Sequence, residues 1–220
     1  MCIRDSNKMV KLSSTEEENT EFLGSLWDKY KYLIALSLVL FGAGIFGWES
    51  WSQNRLSNLQ DSADMYESFI NSLNDDDLDK KVMAEQIIEN YPNTLYADLV
   101  TFHLAKISVE EEDLNKAQEY LMWILKRRDS KWGSDFDPIE ETARLRLARV
   151  LIANDNSNKA LEIINESENM SSSLHEVKGD AEEKLGFYAE AKLSYLKALE
   201  SNQSQSVEAI LKMKLANLDN

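Results

Sequence analysis

Three times in its C-terminal two-thirds, this chain places two small residues twelve positions apart: Ala105 and Ala117, Ala148 and Ala160, Gly179 and Ala191. Inside each pair falls a polar or Gly-containing break, at Glu112-Asp113, Asp155-Asn156 and Leu185-Gly186. A large residue follows the second small one by four positions: Leu121, Ile164 and Tyr195. The spacing has a steric reason. Two antiparallel helices joined by a tight turn approach closely only where side chains are small, and large residues one turn on fill the groove beside that crossing. The six small residues therefore predict the crossings of three helical hairpins. Two Pro and seven Gly in 220 residues are too few for a turn-rich sandwich or barrel. Alternating strand patterns are scarce as well, so an all-α fold is expected.

One hairpin cannot bury its apolar face alone, and stacked neighbours can. The small pairs occupy the usual small-residue positions of the tetratricopeptide repeat, although their first members lie 43 and then 31 residues apart. The long interval contains Lys126–Asp137, read as an inserted loop. It ends in Asp137-Pro138-Ile139-Glu140, an N-cap, a first-turn Pro and an acid, so a helix is expected to start there. The short interval contains a compressed polar connection, Glu166–Ser173. A degenerate fourth unit precedes these, with helices over Leu56–Leu73 and Asp79–Asn90 and a stop at Tyr91-Pro92-Asn93. A terminal helix over Ser206–Leu218 carries Val207, Ile210, Leu211, Leu215 and Leu218 as the stripe that caps the stack. The expected architecture is a solenoid of three to four helix pairs with a C-terminal capping helix.

Upstream, Tyr32 to Trp48 is a 17-residue uncharged run. That is at the short end for a membrane-spanning helix. Trp27, Tyr30 and Tyr32 flank one end and Trp48 and Trp51 the other, as amphipathic rings do at the two interfaces. A buried core helix would not explain the paired aromatic belts. A cleaved signal peptide would need a small-x-small site where Trp48-Glu49-Ser50-Trp51 stands. The reading is a single transmembrane anchor over 29–51, with Tyr32, Leu36, Leu40, Ala43, Gly47 and Trp48 along it. Ala43 and Gly47 are spaced to allow close helix packing. Lys8, Lys11, Lys29 and Lys31 lie before the run, and Arg55 follows it within about 20 residues. This bias keeps residues 1–28 in the cytoplasm as a short tail and places 52–220 across the membrane, in a bacterium the periplasm. The opening Met1-Cys2-Ile3-Arg4-Asp5-Ser6 has no periodicity, and Met9 is read as the start.

Acids number 39 and bases 24, a net charge of −15, of which residues 1–51 carry −2 and the rest −13. Such a surface repels phosphate backbones, so nucleic acid is not an expected partner. Its plainest role is solubility. With Cys2 alone, no intrachain disulfide can form.

Little here suggests chemistry. His103 and His175 have no second ligand nearby in sequence. The Gly residues form no phosphate loop. Asp75, Asp77 and Asp79 imitate the first half of a calcium loop, but Lys80 stands where Gly is needed and Gln86 where a bidentate Glu is needed. No catalytic, metal or cofactor-binding residue is assigned and no cofactor is expected. Lys126-Arg127-Arg128 is read as a charge complement to a helix C-terminus, with a docking contact as the alternative. The remaining candidate is a partner groove lined by the first helix of each pair. Alignment on the small residues puts Leu99, Phe102 and Lys106 there from the first unit. The second contributes Leu145, Arg149 and Ile152, and the third Glu176, Asp180 and Glu183. An apolar, partly basic wall leading to an acidic one suits an extended peptide or a partner helix. For Leu145 and Ile152, filling the core is an equal alternative.

Several stretches carry a resemblance to a known family. They are GAGIFGWESW in the anchor, LRLARVLIANDNSNKAL at 145–161, KGDAEEKLGFYAEAKLSYLKAL at 178–199 and LKMKLANLD at 211–219. From about residue 29 onward the chain resembles the YfgM family, ancillary subunits of the SecYEG translocon. The resemblance implies a single-pass inner-membrane protein with a periplasmic repeat domain. It implies the SecYEG translocon and PpiD, a membrane-tethered periplasmic chaperone, as partners, with newly exported proteins as clients and lipid around the anchor. It implies a non-enzymatic role. An envelope-assembly adaptor serving cell-wall or outer-membrane machinery is the alternative with the same architecture. An enzyme using Glu176, Asp180 and Glu183 is the alternative from another class.

Overall fold

The computed structural model describes residues 13–73, 79–128, 137–167, 169–202 and 204–218. They form helices and no strand. By its internal contacts the chain divides into two units, residues 1–57 and 58–220. The Asp75–Asp77 run lies outside the described residues, as does most of the expected loop before Asp137.

The first unit holds most of helix α1 (Ser13–Ser72). Among the described residues this is the one helix long and apolar enough to cross a membrane, with a mean hydropathy of 1.7 over an 18-residue window, none of it buried by protein. Helix α1 begins well before the apolar run, at Ser13. Large side chains stand out all along that run, from Tyr32 and Leu36 through Leu40 to Trp48. Apolar groups exposed on every side suit a lipid environment and not water.

The second unit is a run of antiparallel helices. The end of α1 packs beside α2 (Asp79–Asn90) and α3 (Leu95–Glu110), burying Phe69, Ile87, Val100 and Leu104 in one cluster. Then come α4 (Leu114–Arg128), α5 (Pro138–Ala153), α6 (Ser157–Asn165), α7 (Ser172–Lys184), α8 (Tyr188–Ser201) and α9 (Gln205–Leu218). Each packs on the next, and α3 also touches α5, as α5 touches α7. This neighbour and next-but-one pattern is what stacked hairpins produce. The hairpins are α3/α4, α5/α6 and α7/α8, preceded by α1/α2 and closed by α9 as the cap.

The six small residues are buried, one on each helix of the three hairpins. Leu121, Ile164 and Tyr195 are at most 1% exposed. Gly179 is the tightest place: a Cβ there would collide with the ring of Tyr195, itself wholly buried.

The three turns are identical in kind. In each, the residue seven after the first small one takes a positive φ: Glu112 at 63°, Asp155 at 56°, Gly186 at 82°. The next amide N–H reaches back five residues, Asp113 to the Ser108 carbonyl, Asn156 to Leu151 and Phe187 to Glu182, at 2.8–2.9 Å. This Schellman closure satisfies carbonyls that the helix end leaves without a partner. Only the third turn uses Gly for it.

At α5 the start is as expected. The Asp137 carboxylate accepts from the Ile139 N–H at 2.9 Å and from Glu140 N–H at 3.4 Å, with Pro138 in the first turn. The expected loop starts later than Lys126, because α4 continues through Arg128. Both arginines at that end turn inward. Arg127 and Arg128 pair with Asp98, which is wholly buried near the start of α3, and Arg128 also bonds Asp137 at 2.7 Å. The docking alternative for these arginines is thereby excluded: their charge ties α3, α4 and α5 together. Burial, then the neighbouring Arg128 charge, lowers Arg127 to about 10. In the cap, Leu211 is buried and Val207, Leu215 and Leu218 pack around it, while Ile210 faces outward at 44% exposure and leaves the expected stripe.

Candidate functional site

The sequence-derived groove residues are treated differently by the fold at its two ends. Toward the first units, Phe102, Ala105, Lys106 and Val109 line one wall from α3, spaced at three and four residues as one helix face requires. Arg146, Arg149 and Val150 form the opposite wall from α5, and Leu121 of α4 closes the floor. The cavity between them is about 310 Å³ and open to solvent. Phe102 is buried beneath Arg146, whose guanidinium lies 4.6 Å from the ring centre, a cation–π contact. Lys106 pairs at 3.5 Å with exposed Glu110. Arg149 is exposed and, among the described residues, makes no ion pair. Leu145 and Ile152 pack against the main core, and Leu99 is half-buried.

Toward the third unit the acidic residues are already engaged. Lys214 of α9 reaches across to α7, bonding Glu176 at 2.8 Å and Asp180 at 2.5 Å. Its ammonium also lies 5.5 Å from the centre of the Tyr195 ring. The Tyr195 hydroxyl sits 2.8 Å from Asp180 and 2.7 Å from Glu183. Burial, then those two carboxylates, push the Tyr195 phenol strongly up, so it stays protonated. Burial opposes the charge on Lys214, but the bonds to Asp180 and Glu176 prevail and raise its pKa. One residue earlier, Glu182 is buried and accepts from the Ser194 hydroxyl at 2.6 Å.

Among the residues that sequence reasoning passed over, Arg146 and Lys214 matter most. Arg146 shares a helix face with Arg149 and Val150, a signal present in the sequence. Nothing local marks Lys214, because its partners are 34 and 38 residues away. His103 packs edge-on against Phe69 at 5.6 Å. Burial, then Lys106 and Arg146, lower its pKa. Among the described residues no group of three or more His, Cys, Asp or Glu is arranged to hold a metal ion. In the first unit, Ala43, Gly47 and Trp48 are exposed along the apolar helix, and Trp48 stacks obliquely on Trp51 at 5.5 Å.

The sequence is similar to those of known proteins. The tetratricopeptide repeat-like domain family matches residues 25–220. An ancillary SecYEG translocon subunit of Haemophilus influenzae is 27% identical over 208 residues, covering 94% of this chain and 98% of that one. An ancillary SecYEG translocon subunit of Buchnera aphidicola is 27% identical over 192 residues, covering 85% and 91%. With three closed hairpins, a family match that spans the apolar helix as well as the stack, and relatives aligned nearly end to end, the chain belongs to the tetratricopeptide repeat-like domain family.

Proposed function

We propose that this chain is a single-pass protein of the bacterial inner membrane that associates with the SecYEG translocon and assists newly exported proteins through protein–protein binding. The observation that carries the reading is the near end-to-end similarity to two ancillary SecYEG translocon subunits, with an exposed apolar helix and a repeat stack in the same chain. Residues 1–28 are the cytoplasmic tail, 29–51 the anchor in contact with lipid, and 52–220 the periplasmic domain. The excess of Lys before the apolar run supports that orientation. The six small residues hold the hairpins in register, and the wall around Phe102, Lys106 and Arg149 offers a surface for a partner. A PpiD-like periplasmic chaperone and exported clients are the partners this reading names. The role is that of a scaffold and not an enzyme: tethering raises the effective concentration of even a weak binder near its target.

Purification of the tagged chain in mild detergent tests the association. Recovery of SecY together with the chaperone is expected. Recovery of cell-wall synthases without SecY would replace this reading with the envelope-assembly adaptor. Protease added to spheroplasts should degrade residues 52–220 and spare the tail; protection of the large domain would reverse the orientation.

A further inference from the structure

We propose that the groove between α3 and α5 docks an acidic protein segment carrying an apolar anchor side chain, and that Lys106, Arg146 and Arg149 select it. The inference rests on the protein-binding reading above and names the class of partner. Three observations support it. The domain beyond residue 51 carries −13, yet three cations converge on this one groove, and Glu110 is the carboxylate paired there. Between the cations the lining is apolar, with Ala105, Leu121 and Val150, and the cavity of about 310 Å³ accommodates one aliphatic or aromatic side chain. The molecule also contains the charge-reversed counterpart of this arrangement. Lys106, Arg149 and Asp180 each follow the first small residue of their unit by one. At Asp180 that position receives a cation from another helix, Lys214, lying over the Tyr195 ring. At Lys106 and Arg149 the position is cationic, and among the described residues no helix brings it more than Glu110.

Opposite charges across an interface choose partners and set register more than they add raw affinity. A carboxylate laid between Arg149 and Lys106 would be held by charge-assisted hydrogen bonds, and a guanidinium can grip it with two parallel ones. The apolar anchor beside it supplies the burial that an exposed ion pair lacks.

The test uses the full chain in neutral detergent and fluorescein-labelled peptides read by anisotropy. The probe alternates Glu and Leu; Gln–Leu, Lys–Leu and Glu–Ser peptides are the comparisons. The Glu–Leu peptide should bind most tightly, and weaken about tenfold between roughly 0.05 and 0.5 M NaCl as screening shortens. The double variant Lys106→Glu/Arg149→Glu should lose Glu–Leu binding by about tenfold or more and gain the Lys–Leu peptide, with its helical circular dichroism retained because both side chains are exposed. Reversing exposed Lys159 and Lys197 instead should leave binding intact. Equal binding of Glu–Leu and Gln–Leu peptides would overturn the proposal, as would a double variant that binds like the parent. So would phosphatidylglycerol bound in an Arg149-dependent way while no peptide binds, which assigns the groove to a lipid headgroup. Recovery of SecY by the double variant leaves the translocon reading standing, so the two can fail separately.

Discussion

The α3–α5 groove and the α7–α9 cluster occupy equivalent places at the two ends of the stack and meet opposite fates. In the first, charge is kept at the rim and the cavity is open. In the second, two carboxylates and a phenol converge on one lysine from the cap, and the position is filled from within. Repeat geometry thus fixes where a side chain points but leaves its role to the neighbour. A residue one past the crossing can be a docking contact or an internal tie, depending on what the next helix carries. The same division holds for buried charge. The first half hides the ion pairs of Asp98 at the helix ends, away from the groove. The second half places its contacts at the crossing itself.

The sharpest way to break this comparison is at Asp98. Asp98→Ala removes the buried carboxylate that Arg127 and Arg128 share and leaves Arg128 with Asp137. It should cost about 3–5 kcal/mol, the penalty for removing one partner of a buried pair. Urea unfolding followed by circular dichroism would measure it, and a loss below about 1 kcal/mol would mean that the arginines find water. Lys214→Ala comes next, at about 1–3 kcal/mol, since it strands two partly buried carboxylates beside Tyr195. Protease cleavage ahead of α9 should quicken in that variant before the α3–α5 hairpins respond; simultaneous loss would erase the distinction between the halves. Gly179→Ala should also cost about 1–3 kcal/mol by overpacking against the fixed Tyr195 ring, whereas Ala is already tolerated at 105 and 148.

Acid should act on the first half through Asp137. Burial opposes its charge, but the Ile139 N–H and the Arg128 guanidinium outweigh that and hold its pKa below the usual carboxylate range. A folded-state pKa below the unfolded one means stability that is present above about pH 4 and lost as pH falls through the folded value. Thermal midpoints from pH 5 to 2 should therefore decline less steeply in Asp137→Asn than in the parent. The smallest effect is a gain. Glu112→Gly or Asp155→Gly relieves a left-handed residue in the first two turns and should add about 0.5–1 kcal/mol, making them like the third. A loss there would show that these side chains contribute to their turns.

Much of this was legible in the residues because small-residue spacing acts locally. Ala105 and Ala117 must face each other across a hairpin whatever else surrounds them, and Asp137-Pro138 starts a helix by its own chemistry. A 17-residue stretch without charge is likewise readable, since bilayer thickness is an external ruler. The candidate groove was legible in part: Phe102, Lys106 and Arg149 follow from helix phase, while Arg146 needed the neighbouring helix to identify the face it shares.

Long-range pairing was not legible. Arg127 and Arg128 read as a charge complement to a helix end because Asp98 is about thirty residues away, and Glu176 and Asp180 read as an open wall because Lys214 lies beyond two more turns. Chain chemistry alone settled that the helices form, where they cross and which segment avoids water, since each depends on interactions within a few turns. The packed stack alone decided which charges are spent inside the molecule and which remain at the surface, because that depends on what distant helices bring within about 3 Å.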